Sequence, residues 1–176
     1  MNVFLAPASS ENLLATIKRR VPFSEVRHLM DARDLRAIKD LGNEDEGFHC
    51  WAVTENRKNI WDKMKNEDIV LFKETGTGYF TCVGKIFYKS KSDKNKKLAA
   101  MLWKYGTGWH YIYFLKSIKA IQIPYRKLMH EVGYTNPRDI LPGIRQIKPT
   151  AMEEINLKHG SFEKLLEKPN RDLSFA

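Results

Sequence analysis

Aromatic side chains are the groups in this sequence whose types and spacing could do chemistry. Trp103, Tyr105, Trp109, Tyr111, Tyr113 and Phe114 fall within twelve residues, interrupted by Gly106-Thr107-Gly108. Trp51 and Trp61 complete the four tryptophans. Strand alternation puts Tyr111 and Tyr113 on one face and Ile112 and Phe114 on the other. One of those faces is core. The remaining rings either pack as well or wall a pocket for an unstacked base, where each stacked base is worth roughly 1–3 kcal/mol. With the polar residues Thr54, Glu55 and Asn56 after a strand, and a lysine-rich arm, such a pocket would receive a flipped or single-stranded nucleotide.

Catalytic chemistry finds little support. The five histidines (His28, His49, His110, His130 and His159) have no metal-ligand spacing and no partnering cysteine pair. No phosphate-binding glycine loop, dinucleotide fingerprint or nucleophile elbow occurs. A metal-dependent nuclease would have to recruit Asp68, Glu74 and Lys85, but Asp68 sits in a turn and Glu74 at a strand end. We therefore expect binding without catalysis, with no metal and no cofactor.

Charge supplies the partner class. The 176 residues carry 30 Lys+Arg against 21 Asp+Glu, a formal +9. Residues 1–149 hold +10 of this and residues 150–176 hold −1. Gly84 to Lys97 alone contains Lys85, Lys89, Lys91, Lys94, Lys96 and Lys97 against Asp93. A basic surface attracts polyanions, nucleic acid first and anionic membrane second. The lysine run is either a solvated loop or a flexible arm on phosphates, which would give salt-sensitive binding without base specificity. Apolar runs are only a few residues long, so no bilayer span and no signal peptide are expected. Cys50 and Cys82 lie in strand-like stretches and are expected to be reduced core thiols of a cytoplasmic protein.

These groups need elements to position them. Ser9 or Ser10 caps a helix with Leu13, Leu14 and Ile17 on one face. Pro22 opens a second helix, and Asp34 to Leu41 continues helically. Strands are expected at Phe48–Thr54, Ile69–Phe72, Tyr79–Tyr88, His110–Leu115, Lys119–Ile123 and Ile144–Ile147. Gly76-Thr77-Gly78 makes a hairpin. Short helices follow at Ile60–Met64, Leu98–Trp103 and Tyr125–Glu131, and amphipathic helix after Pro149. About six strands interrupted by short helices imply an α+β fold, a small curled sheet or barrel with flanking helices.

The run Trp61, Asp68-Ile-Val-Leu-Phe-Lys, Tyr79-Phe-Thr-Cys-Val-Gly-Lys-Ile, Leu98-Ala-Ala-Met-Leu-Trp103 and Trp109-His-Tyr-Ile-Tyr-Phe-Leu resembles the EVE and YTH branch of the PUA-like superfamily. The likeness is nearest to domains at the N-terminus of McrBC-type modification-dependent restriction proteins. It covers about Phe48 to Lys148. The opening Val-Phe-Leu-Ala-Pro with its helices looks like those members too. The resemblance implies a PUA-like curved barrel of about six strands, non-catalytic, that reads a modified base in an aromatic cage, N6-methyladenine in YTH readers. Carried over by position, Trp61 matches the first wall, Trp103 the second and Trp109 the third, with Tyr105 and Tyr88 as substitutes. Thr54 and Asn56 match the loop that bonds the base edge, and Asn59 and Asp62 flank the first wall. Lys89, Lys91, Lys94, Lys96, Arg126 and Arg145 would contact phosphates.

The expected organisation is a nucleic-acid-binding domain over residues 1–149, with a helical N-terminal extension (1–47) and a barrel (48–149). Residues 150–176 would be a helical linker toward an NTPase domain outside this chain. The expected role is target recognition on modified DNA within a restriction complex. An RNA reader on the same fold is the principal alternative. A nuclease or RNA-modifying enzyme and a protein-interaction domain complete the set.

Overall fold

The computed structural model describes residues 1–42, 45–136 and 140–167. Its strands are β1 (Val3–Ala8), β2 (Val21–Pro22), β3 (Gly47–Val53), β4 (Ile69–Glu74), β5 (Tyr79–Lys89), β6 (Tyr111–Pro124) and β7 (Arg145–Gln146). They form one sheet in the order β2-β3-β6-β5-β4-β1-β7. Seven strands occur among the described residues, against the expected six or so. No ladder joins β2 to β7, so the sheet is open; each of these edge strands is only two residues long.

The β1 strand, within the stretch expected as an N-terminal extension, lies inside the sheet. It runs parallel to β4 with Val3 opposite Ile69 and Ala8 opposite Glu74. Both of its faces are apolar, and Val3, Phe4, Leu5 and Ala6 are fully buried. Asp68 fixes its start by accepting from the Asn2 backbone N–H at 2.7 Å and the Asn2 amide at 3.1 Å. The stretches expected as two strands at His110–Leu115 and Lys119–Ile123 are one long strand, β6. Its register against β5 shifts repeatedly, and Ser117 has φ +53°. Such irregularities bend a strand and add twist.

Among the described residues eight α-helices flank the sheet: α1 (Ser10–Thr16), α2 (Phe23–Val26), α3 (Ala32–Gly42), α4 (Lys58–Lys63), α5 (Asn95–Leu102), α6 (Tyr125–Glu131), α7 (Pro149–His159) and α8 (Phe162–Glu167). Ser9 caps α1 by accepting from the Asn12 N–H at 3.2 Å. Leu13 and Ile17 are buried, but Leu14, expected on the same face, is exposed. Helix α5 begins at Asn95 rather than Leu98, so part of the lysine run is helical.

Strand alternation sorts the apolar residues into faces. Phe4, Trp51, Val70, Phe72, Cys82 and Tyr113 share one face. The opposite face is covered in two patches. Over β3 and the start of β6, Phe48, Cys50, Ile112 and Phe114 meet Phe23, Ile38 and Leu98. Over β1 and β4, Val3, Leu5, Ile69 and Leu71 meet Leu128, Ile155, Phe162 and Leu165. Each large buried side chain contributes about 1.5–3 kcal/mol. Residues 149–167 therefore pack on the sheet core through α7 and α8. Cys50 and Cys82 are free and buried, and burial raises both thiol pKa values. No described helix is long and apolar enough to cross a membrane. The Lys168–Arg171 stretch and Arg138 lie outside the described residues.

Candidate nucleic-acid interface

Strand β3 delivers Trp51 and Val53 to the same face as Tyr113, its neighbour Trp51 pairing directly with that tyrosine. After Val53 the chain turns through Thr54 and a single turn, Glu55–Arg57, into α4. The returning segment before β6 carries Trp103 and Trp109. Gly106 holds this segment against α5. A Cβ there would stand 2.0 Å from the Ala99 carbonyl oxygen, so only glycine fits. The three indoles meet: Trp51–Trp103 at 6.0 Å and 71°, Trp51–Trp109 at 6.1 Å, and Trp103–Trp109 at 5.8 Å. These separations suit edge and tilted aromatic packing.

Trp51 and Trp109 wall a recess of about 290 Å³, with Thr54, Asn56, Arg57, Pro7, Gly143 and Ile144 on its other sides. That volume lies at the small end of ligand sites, roughly 300–1,000 Å³. Trp103, nearly fully buried, backs the recess without lining it. The Thr54 hydroxyl donates to the Asn56 side-chain oxygen. A Cβ on Gly143 would lie 2.9 Å from Arg57 Nε and 3.0 Å from Nη2, so the missing side chain is what admits the guanidinium.

Trp61 is not a wall of this recess. It is 2% exposed, donates its indole N–H to the Ile112 carbonyl at 3.3 Å, and packs on Tyr111 at 5.6 Å. Packing of α4 against β6, rather than proximity to the other tryptophans, determines its place. It lines a second cavity of about 400 Å³ with Lys58, Asp62, Lys91, Lys96, His110 and Tyr111. Asp62 pairs with Lys58 at 2.6 Å, which lowers its pKa. Asn59 is exposed and lines neither cavity. Of the substitute walls, Tyr105 is 76% exposed and Tyr88 donates its hydroxyl to Asp34 at 2.7 Å; neither lines a cavity.

The turn between the cavities is tied across them. Glu55 accepts from the Tyr111 hydroxyl at 2.7 Å, and His110 Nε2 lies 3.1 Å from it. The tyrosine hydrogen bond, with His110 beside it, holds the Glu55 carboxyl below its ordinary pKa. The same bond raises Tyr111.

The lysine segment is anchored rather than a flexible arm. Asp34, 3% exposed, accepts from Tyr88 and from the Ser90 hydroxyl. Burial, then the Asp34 contact, pushes Tyr88 up to about 12. Ser90 bonds Asn95, whose amide donates to the Ser90 and His110 carbonyls. Two of the expected phosphate ligands have structural partners. Lys89 donates to the Trp61 carbonyl at 2.7 Å, and burial lowers its pKa. Lys94 donates to the Met30 carbonyl at 3.3 Å. Lys91 and Lys96 face the second cavity. Arg126 and Arg145 line neither cavity, and Arg145 lies over the Tyr134 ring at 4.6 Å.

The carboxylates a nuclease would need are apart and occupied. Asp68 and Glu74 bracket β4, about 20 Å apart at roughly 3.3 Å per residue. Glu74 accepts from Lys18 at 2.9 and 3.0 Å. Lys85 instead lies 3.9 Å from Glu163. No cluster of three metal-ligating residues occurs among the described residues.

Sequence reasoning brought Thr54, Asn56, Trp103 and Trp109 to one place but missed Trp51, Arg57 and Gly143. Trp51 had a signal, because alternation from Phe48 puts it on the face opposite the one Phe48 packs. Arg57 and Gly143 had none.

The open seven-stranded sheet, its covering helices and the aromatic recess define a small α+β domain of PUA-like, EVE/YTH-like fold. The sequence matches no family model and no curated protein. Among solved structures it is similar to the N-terminal domain of Thermococcus gammatolerans McrB bound to m5C DNA. That match has a TM-score of 0.67 at 17% identity and covers 95% of this chain and 100% of that one. It is also similar to the Pho92 YTH domain in complex with m6A, with a TM-score of 0.52 at 12% identity, over 96% of this chain and 87% of that one. At these identities the likeness is one of fold.

Proposed function

We propose that this chain is a non-catalytic DNA-binding module that reads a modified base, flipped into the recess that Trp51 and Trp109 help to wall. The observation that carries this reading is the recess itself: two indoles beside Thr54, Asn56 and Arg57, in a domain of strong positive charge. Trp109, half-buried, would stack the base, Trp51, only 4% exposed, would close the recess behind it, and the three polar side chains would bond the base edge. N6-methyladenine is the base we assign, because its apolar methyl on an exocyclic nitrogen suits indole walls. The YTH neighbour of the same fold is complexed with m6A.

Magnitudes divide the selectivity. Burying one methyl gives about 0.8 kcal/mol, roughly fourfold. A methylated exocyclic amine also pairs less well, so its flipping costs less. Background affinity comes from lysines and is salt-sensitive. In the same reading the chain is the target-recognition part of a modification-dependent restriction system, with nucleotide hydrolysis in other domains or subunits. The likeness to the whole McrB N-terminal domain supports this role.

The test is a titration of matched DNA and RNA oligonucleotides at fixed salt, carrying N6-methyladenine, 5-methylcytosine or no modification. Tightest binding to N6-methyladenine DNA is expected. Preference for 5-methylcytosine would reassign the base, and preference for RNA would make the chain an RNA reader. Equal affinity for every strand would overturn the proposal.

A further inference from the structure

We propose that the second cavity is a built site for one backbone phosphodiester, the one beside the nucleotide held in the Trp51–Trp109 recess. This deepens the reader assignment and rests on it. Three lysines, Lys58, Lys91 and Lys96, line the cavity, along with Ser92 and His110. Its two acids are Asp62, already paired with Lys58 at 2.6 Å, and Asp93. Lys91 and Lys96 are exposed and have no ion pair among the described residues, so their charge is available to an anion.

The site is preorganised. A buried carboxylate, Asp34, accepts from the Ser90 hydroxyl, and the Ser90 carbonyl accepts from the Asn95 amide at 3.2 Å. The four residues between these anchors include Lys91 and Ser92, and Lys96 follows directly. Buried, satisfied polar networks of this kind rigidify the loop they tie. An arm meant only for nonspecific contact would need no such anchoring.

Position gives the site its meaning. The turn from Thr54 to Lys58 lines both cavities: Arg57 faces the recess and Lys58 the lysine cavity, and adjacent Cα atoms are about 3.8 Å apart. In the proposed arrangement a strand with its base in the first would run its backbone across this turn toward the second. Phosphate bound there positions the strand and carries no sequence information.

The experiment combines Lys91→Ala/Lys96→Ala with single methylphosphonate substitutions walked along the modified strand. The double variant should lose about tenfold in affinity for modified and plain DNA alike. Its salt slope should flatten by about one, with the modification preference unchanged. One methylphosphonate, adjacent to the modified base, should weaken the parent protein and leave the double variant unaffected. Inorganic phosphate, at ionic strength matched with chloride, should not compete at millimolar concentration; competition would mark a free-anion site and overturn the backbone assignment. Equal losses in parent and variant at every position would also overturn it. A surviving methylphosphonate effect without any modification preference would instead retain the phosphate site and remove the reader.

Discussion

Lys89 holds its ammonium 4.2 Å from the ring centre of Trp61 while donating to that residue's own carbonyl at 2.7 Å. The pair is a strut between β5 and α4, the indole buried and the lysine partly so. Trp61→Ala should therefore cost about 3–5 kcal/mol of stability, as deletions of buried aromatics do. Trp61→Phe should recover much of it. Urea unfolding measures the loss, and the folded fraction should keep its modified-base preference.

Trp109 is half-buried and faces the recess, so its removal separates function from stability. Trp109→Ala should lose roughly 1–3 kcal/mol of binding to the modified base. Salt-sensitive binding to plain DNA should persist. Preference retained in a direct titration would remove the recess as the base site.

The guanidinium of Arg57 lies against the bare Cα of Gly143. Arg57→Ala should reduce discrimination roughly tenfold, as for one charged hydrogen bond, and Gly143→Ala, which only makes the flexible end of Arg57 shift, should cost less. Because both act through one group, the double variant should be no worse than Arg57→Ala. Additive losses would show that Gly143 acts independently.

Asp34 underlies the lysine cavity. Asp34→Ala leaves the Tyr88 hydroxyl without its acceptor, a loss of about 1–3 kcal/mol, while the Ser90 hydroxyl keeps Asn95 Oδ1 at 3.0 Å. Hydrogen exchange over residues 90–96 should accelerate, and affinity for all DNA should fall together. A change in base preference alone would contradict the anchoring role.

Acid should weaken the fold through Glu74. Its two bonds from Lys18, then Ser10, hold its pKa below the ordinary 4.5. A depressed folded-state pKa contributes stability that is fully present above the unfolded value. That contribution disappears as pH falls from about 4.5 through the lower folded value. Glu74→Gln should be less stable at pH 7 and should flatten this acid limb in pH-dependent urea unfolding.

Local pattern made much of the fold legible. The hairpin at Gly76-Thr77-Gly78, helix α6 and the alternation of β3 follow from neighbouring residues, and all stand where expected. The positions that failed depend on distant partners. Nothing near Val3 says that its strand enters the sheet in parallel beside β4, because the pairing residues lie 66 positions away. The break expected between Leu115 and Lys119 is a bend within one strand, since β5 supplies a ladder along both halves.

The sequence by itself determined the α+β class, the excess of positive charge, the concentration of indoles before β6 and the polar turn after β3. These are properties of composition and short-range periodicity. Tertiary structure alone decided which indoles face one another. Trp51 joined Trp109 because β3 and β6 pair in one register, whereas Trp61 was drawn under Lys89 and against β6. The same packing divided the lysines between structural carbonyls and an open cavity, because an ammonium's partner is chosen by proximity in space.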